Sequence, residues 1–358
     1  MSWLLTIFGI AALIVIHEGG HALAAKAMGM RVERFALFFP PIIWSRKFGS
    51  TDIALGSIPL GGYVKITGQN TAEEVSPEDS DVSYASKAIW RRAVVIAAGP
   101  AANLLTCLVL VTALLALDGK QSVTTAISSA PIAAPAAGIL QRGDRVISVD
   151  GVGGSPESLV RQTRSHSCVG TPVNGCLAST PVVIKVDRAG DLKSFTIKPR
   201  WDSTAAAMRL GFAFDTERKP VAFGTAVKAS GTASWHVTAA TLKAISGVAD
   251  SQQRKQLGGI VGGVAVTQQA FSQSLFNALE LLAFISLSIA IVNLLPILPL
   301  DGGHLFWLLV EKIRGKKPST ETLEKAALIG FALVAVLFVI GLSNDVGRLG
   351  SGGFSRTQ

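Results

Sequence analysis

Leu13-Ile14-Val15-Ile16-His17-Glu18-Gly19-Gly20-His21-Ala22-Leu23 decides how this chain reads. It sets an HExxH motif inside a run, from Met1 to Ala25, whose only ionisable side chains belong to the motif. On a helix, residues four apart share a face. His17 and His21 therefore offer two imidazoles to one Zn²⁺ while Glu18 reaches the water beside it. The apolar flanks are long enough, at about 1.5 Å per residue, to cross a hydrocarbon core of roughly 30 Å. Ionisable groups at that depth are costly and mark function. The stretch predicts zinc-dependent hydrolysis in the plane of a membrane.

Composition points the same way. The 358 residues are 49% hydrophobic and 16% charged, with a mean hydropathy of +0.44, which excludes an ordinary soluble domain. Beyond a first span at 1–28, uncharged runs at 93–117, at 281–300 within a segment 278–310, and at 326–344 predict a polytopic α-helical membrane protein with four transmembrane helices. The first run lacks the basic start and small-residue exit of a signal peptide and is read as a span. The net charge of +9 does not imply a nucleic-acid partner, because the cations cluster beside the spans. Arg31, Arg34, Arg46, Lys47, Lys87, Arg91 and Arg92 lie in 29–92, and Lys312, Arg314, Lys316 and Lys317 in 311–325. The positive-inside rule puts both loops in the cytoplasm and both termini, including the tail 345–358, outside.

In the first loop, 53–60 and 63–66 read as short strands punctuated by Gly and Pro around Gly61 and Gly62, and 72–81 as an acidic connector. The segment 120–200 reads as an extracytoplasmic β-rich module with a short helix at 158–164. Its Pro135-Ala136-Ala137-Gly138-Ile139-Leu140-Gln141-Arg142-Gly143-Asp144-Arg145-Val146-Ile147-Ser148-Val149-Asp150-Gly151 resembles the core of a PDZ domain. Such a domain adds an extended chain to a sheet edge and often captures a C-terminal carboxylate, which implies binding of a substrate C-terminus. One such module fits the length. The segment 201–277 reads as a linker whose helical stripe from Phe223 to Ile245 suits the outer membrane surface or the module's flank, with Gly258–Val264 a flexible approach to the third span. An oxidising exterior permits a Cys168–Cys176 bridge; Cys107 reads as a small apolar residue of the second span.

Two imidazoles make an incomplete site, since catalytic zinc takes three protein ligands and keeps one position open. Asn293-Leu294-Leu295-Pro296-Ile297-Leu298-Pro299-Leu300-Asp301-Gly302-Gly303-His304 interrupts the third span with two prolines and two glycines, so the helix breaks there. Irregular backbone at membrane depth survives only when buried in protein or facing a wet cavity. Asp301 and His304 are both candidates for the third ligand, and Asp301 also has the alternative of capping the following half-helix.

HExxH in a first span with Asn-x-x-Pro-x-x-Pro-Leu-Asp-Gly-Gly-His in a late one resembles the site-2 protease family of intramembrane metalloproteases. The PDZ-like module, Gly61-Gly62-Tyr63-Val64-Lys65, and Arg91-Arg92-Ala93-Val94-Val95-Ile96-Ala97-Ala98-Gly99-Pro100-Ala101-Ala102-Asn103 resemble its bacterial branch that cleaves anti-sigma factors. Members often carry two PDZ modules where this chain has one. The resemblance implies a bacterial cytoplasmic (inner) membrane location and Zn²⁺ held by His17, His21 and Asp301, with Glu18 as general base. It also implies substrate contacts from Asn293 and Asn103, and a re-entrant β-loop including Gly61, Gly62, Tyr63 and Val64 that pairs with an unwound substrate strand. Satisfying freed backbone groups is the alternative for Asn293, and helix–helix packing for Asn103. The implied substrate is a transmembrane segment of a single-span, anti-sigma-factor-like protein or a signal-peptide remnant. A PDZ-bearing scaffold without activity and a metal transporter are the other readings; neither needs Glu18.

Overall fold

The computed structural model describes residues 2–70, 75–129, 134–247 and 259–350. Four of its helices are long and apolar enough to cross a membrane: α1 (Ser2–Ala27), α2 (Ile89–Leu117), α6 (Leu275–Asn293) and α8 (Thr320–Gly350). The chain is a multi-pass membrane protein with a β-rich insertion. It divides into two compact units, residues 1–116 with 222–358, and residues 117–221.

In the first unit α1 and α2 meet where neither has a side chain. A Cβ on Gly20 would strike the Ala98 carbonyl, and one on Gly99 would strike the His21 ring. Pro100 follows inside α2, where its missing N–H removes one helical hydrogen bond. Towards its start α2 is tied to α7 (Asp301–Arg314) by a buried fork. The Arg92 guanidinium donates to both Glu311 oxygens at 2.6 and 3.0 Å and to the Lys87 carbonyl. Such a pair is costly to break on one side, by roughly 3–5 kcal/mol, because the survivor is left charged and buried.

The expected short strands at 53–60 and 63–66 prove to be part of a larger sheet. Strands β1 (Val32–Phe48) and β2 (Thr51–Ile66) pair antiparallel with repeated register shifts. Arg34, Phe35, Ala36 and Leu37 each face one residue in 62–65 and another in 52–55. The first half of β1 is thus flanked on both sides, which leaves 62–66 as an outer run of the sheet. Of the acidic connector, 72–74 lie outside the described residues, and Asp79 accepts from Arg31.

The break expected within 278–310 is present and separates two helices. α6 ends at Asn293, residues 294–300 carry no helix, and α7 begins at Asp301. Pro296 and Pro299 enforce the gap. α7 reaches Arg314 and α8 begins at Thr320, so the loop expected at 311–325 shrinks to 315–319.

In the second unit, β3 (Lys120–Ser129), β4 (Arg145–Val149), β6 (Val182–Arg188), β7 (Asp191–Ile197) and β10 (Ala213–Lys219) form a sheet in the order β10-β3-β4-β6-β7, with the short β5 (Val152–Gly153) on β4. Leu159 of α3 (Pro156–Arg164) packs with Ile127, Val146 and Ile184 in its core. The module expected to end at 200 continues to 221, because β10 returns to pair with β3. The remaining strands, β8 (Arg200–Asp202) and β9 (Ala207–Arg209), pair with each other. Buried Asp144 accepts from the Arg188 guanidinium and the Gln141 N–H, chiefly the former, which holds its carboxyl below the usual carboxylate range. Cys168 and Cys176 are bridged and pack beside Met208 and Trp201.

Two further expectations for 201–277 are corrected. α4 (Phe223–Ser246) belongs to the membrane-helix unit rather than to the module's flank. Its stripe Ala226, Ser230 and Ser234 is buried, and Ser230 and Ser234 meet Thr112 and Cys107 of α2 at 2.9 and 3.6 Å. Small residues at four-residue spacing let helices approach closely in lipid. The glycine-rich approach to the third span, of which Gly258 is outside the described residues, starts helix α5 (Ile260–Gln273). Buried Asp345 of α8 accepts from the Gly259 and Gly262 N–H groups and caps it.

Candidate metal centre

α1 is unbroken through the HExxH motif, so His17 and His21 fall on one face and are both buried. α2 lies so close that the Val95 carbonyl accepts from His21 Nδ1 at 2.9 Å. A carbonyl can only accept, so Nδ1 carries the proton and Nε2 presents its lone pair. The break before α7 brings in the third group. Asp301 Oδ2 lies 3.3 Å from Nε2 of His17 and 3.3 Å from Nε2 of His21, and the two Nε2 atoms are 3.4 Å apart.

These edges answer whether the residues suit a metal. With bonds of about 2.0–2.1 Å to Zn²⁺, ligands of a tetrahedral ion stand about 3.3–3.4 Å from one another. The three atoms form one face of such a tetrahedron. Asp301 Oδ2 is buried and among the described residues has no hydrogen-bond partner, an expensive state for a carboxylate oxygen unless a cation takes its place. The group His17, His21 and Asp301 is also the metal-competent cluster found among the described residues, and it leaves the fourth tetrahedral position for water or substrate.

His304 does not join it. One turn further along α7, His304 is exposed to a cavity of about 800 Å³ whose walls include Tyr63, Val64, Trp307 and Glu311 but not His17, Glu18 or His21. Nor is Asp301 a helix cap. Leu300 holds the N-cap position of α7 and makes no side-chain cap bond.

Glu18 is half-buried on α1 between the two ligands. Gly62 lies against it: a Cβ there would stand 3.0 Å from Glu18 Cγ and 2.9 Å from both Ile14 Cγ2 and the Ala36 carbonyl oxygen. The outer run of the sheet therefore begins beside the expected general base, and its next residues, Tyr63 and Val64, line the cavity. Phe39 packs against Gly61 and stacks on Tyr63. Asn293, at the end of α6, is half-buried and makes no side-chain hydrogen bond among the described residues. Asn103 is wholly buried, and its Nδ2 lies 3.3 Å from His17 Nδ1. Its side chain thus faces a metal-competent histidine, a partner that neither sequence reading of Asn103 named. Only the GPxxN spacing of Gly99, Pro100 and Asn103 marked the residue in the sequence, and it did not show which group it would face.

A model of peptidase family M50 matches residues 5–337. The chain belongs to this family. A provisionally named zinc metalloprotease of Rhizobium meliloti is 27% identical over 369 residues, covering 96% of each chain. Another from Campylobacter jejuni is 28% identical over 362 residues, covering 98% of this chain and 94% of its own. This M50 protein is thus a zinc metalloprotease of the site-2 type, and the scaffold and transporter readings fall away.

The ligand assignment has a direct check. Asp301→Ala should weaken zinc retention by more than about 100-fold, beyond what outer-shell changes cost, while His304→Ala should leave it near wild type. Metal analysis after dialysis against a chelator reads both, and the reverse pattern would move the third ligand to His304.

The contact between Gly62 and Glu18 has another. Gly62→Ala should retain zinc yet lower turnover by about tenfold, because a displaced general base sits off its reaction geometry. Wild-type turnover would show that Glu18 has more room than the packing indicates.

Proposed function

We propose that this M50 protease hydrolyses peptide bonds within transmembrane segments of single-span proteins, in regulated intramembrane proteolysis of an anti-sigma-factor-like protein or of signal-peptide remnants. The observation that carries this reading is the tetrahedral face of His17, His21 and Asp301, set between helices long and apolar enough to span a membrane. Zinc, when bound, supplies a Lewis acid that acidifies water and polarises the scissile carbonyl. Glu18 accepts the water proton and returns it to the leaving amide nitrogen. His17, His21 and Asp301 hold the ion. Asn293, with its carboxamide uncommitted at the helix break, contacts the substrate.

A helical substrate has no free backbone donors or acceptors, so it must unwind before attack. The outer run 62–66 starts against Glu18 and continues along the 800 Å³ cavity, which supports strand addition of the unwound segment on that edge. A second edge supports the PDZ reading of the inserted unit. β10 ends the sheet order, and a groove of about 440 Å³ lined by Val160, Arg161, Arg164 and Phe214 runs between it and α3. Its apolar residues Val123, Val160 and Phe214 suit an extended chain, and Arg161 and Arg164, with Glu157 beside them, leave a net positive rim for a terminal carboxylate.

In a reconstituted bilayer the wild-type protein should cut a single-span substrate inside its membrane segment. Glu18→Gln should keep zinc and lose on the order of 10²–10⁴-fold in rate. Mass spectrometry of the fragments places the cut; cleavage confined to a loop outside the membrane would overturn the intramembrane reading.

The cations of 29–92 and 311–325 support an orientation with the β1–β2 sheet on the cytoplasmic side of a bacterial inner membrane and both termini with the inserted unit outside. Cysteines introduced at Ser155 and Ser76 should react with an impermeant thiol reagent from outside and only from the cytoplasm, respectively. The opposite pattern would invert the topology.

A further inference from the structure

The buried carboxamide of Asn103 has one atom on a metal ligand and another on nothing. Its Nδ2 lies 3.3 Å from His17 Nδ1, its Oδ1 has no partner among the described residues, and the residue is 0% exposed. A His that binds a metal through Nε2 is neutral and carries its proton on Nδ1, so Nδ1 must face an acceptor. His21 meets that requirement with the Val95 carbonyl. For His17 the group in that position is the amide, whose two ends are nearly equal in shape. A half-turn of the amide brings the unpartnered oxygen to Nδ1–H and moves the NH₂ to where Oδ1 stood. The backbone at this position is also pinned, because Ser286 Oγ of α6 donates to the Asn103 carbonyl at 3.0 Å.

We propose that Asn103 is a positioning residue: its Oδ1 accepts the Nδ1–H of His17 and fixes the tautomer and ring plane that aim Nε2 at zinc. Outer-shell acceptors of this kind orient metal-bound imidazoles and raise their basicity. The two histidines then have different supports from the same helix, a main-chain carbonyl for His21 and a side-chain amide for His17. The inference rests on the zinc site and replaces a substrate-holding role for Asn103.

The test uses the full-length protein in detergent, with zinc exchange against a chelator as the first readout and KM for a membrane substrate as the second. Asn103→Leu removes both polar atoms at similar size; Asn103→Asp keeps an acceptor. Zinc retention in Asn103→Leu should fall by about 10–100-fold, Asn103→Asp should stay within a few-fold of wild type, and KM measured at saturating zinc should be unchanged. Wild-type zinc retention in Asn103→Leu overturns the proposal, above all if KM rises. If Asn103→Leu fails to fold, Asn103→Asp decides alone: a monodisperse protein that loses zinc overturns it, and one that keeps zinc supports it. Absence of zinc from the wild-type protein would instead count against the metal site itself.

Discussion

Two imidazoles and a carboxylate are buried together among helices that belong in hydrocarbon, converging on a point that one cation can share. With His21 Nδ1 committed to the Val95 carbonyl, the neutral His21 ring turns the lone pair of Nε2 towards Asp301 Oδ2 and His17 Nε2. A metal ion satisfies all three atoms at once, and the nearby features hold the corners of that site in place. Gly20 and Gly99 allow α2 to approach until it touches the His21 ring, and the break at Pro296 and Pro299 starts a new helix at Asp301. The buried Arg92–Glu311 fork then fixes α7 to α2, so the helix that supplies Asp301 is tied to the helix that orients the histidines.

The chemistry was legible in the sequence because each half of it is local. HExxH fixes two ligands and a base within one helical turn, and a Pro- and Gly-rich interruption of an apolar run announces a break whatever surrounds it. What stayed hidden depends on distant pairing. Val32–Phe48 did not read as a strand because Pro40-Pro41 and its cations obscure the alternation, and its partners on both sides come from later residues. The end of the inserted unit was set too early because β10 rejoins β3 across the whole unit. Arg92 read as a topological charge, since nothing near it in sequence announces Glu311.

Helix α4 shows a different limit. Its apolar stripe, Phe223, Val227, Trp235 and Leu242, is exposed, and the face packed against protein is the small-residue line Ala226, Ser230 and Ser234. In water, burial follows hydrophobicity. In lipid, that driving force between helices is absent, so close packing and hydrogen bonds such as Ser230 to Thr112 select the interface. A periodicity search weighted by hydrophobicity finds the side of such a helix that faces away from its protein neighbours.

A protease working in a membrane must bring water and an extended peptide to a place that favours neither. The arrangement around Glu18 meets both needs with one irregularity on each side of the metal. On one side the α6–α7 break frees main-chain groups and opens onto the cavity bounded by His304 and Trp307. On the other, the run 62–66 presents the edge of a sheet, the one regular structure whose hydrogen bonds are left over for a partner. Gly62 is the joint between these functions. With no side chain, it lets the edge lie against Glu18, so under the proposed strand addition a peptide would reach Glu18 and the metal cluster together. A bulkier residue there would separate the sheet edge from Glu18 and the metal cluster.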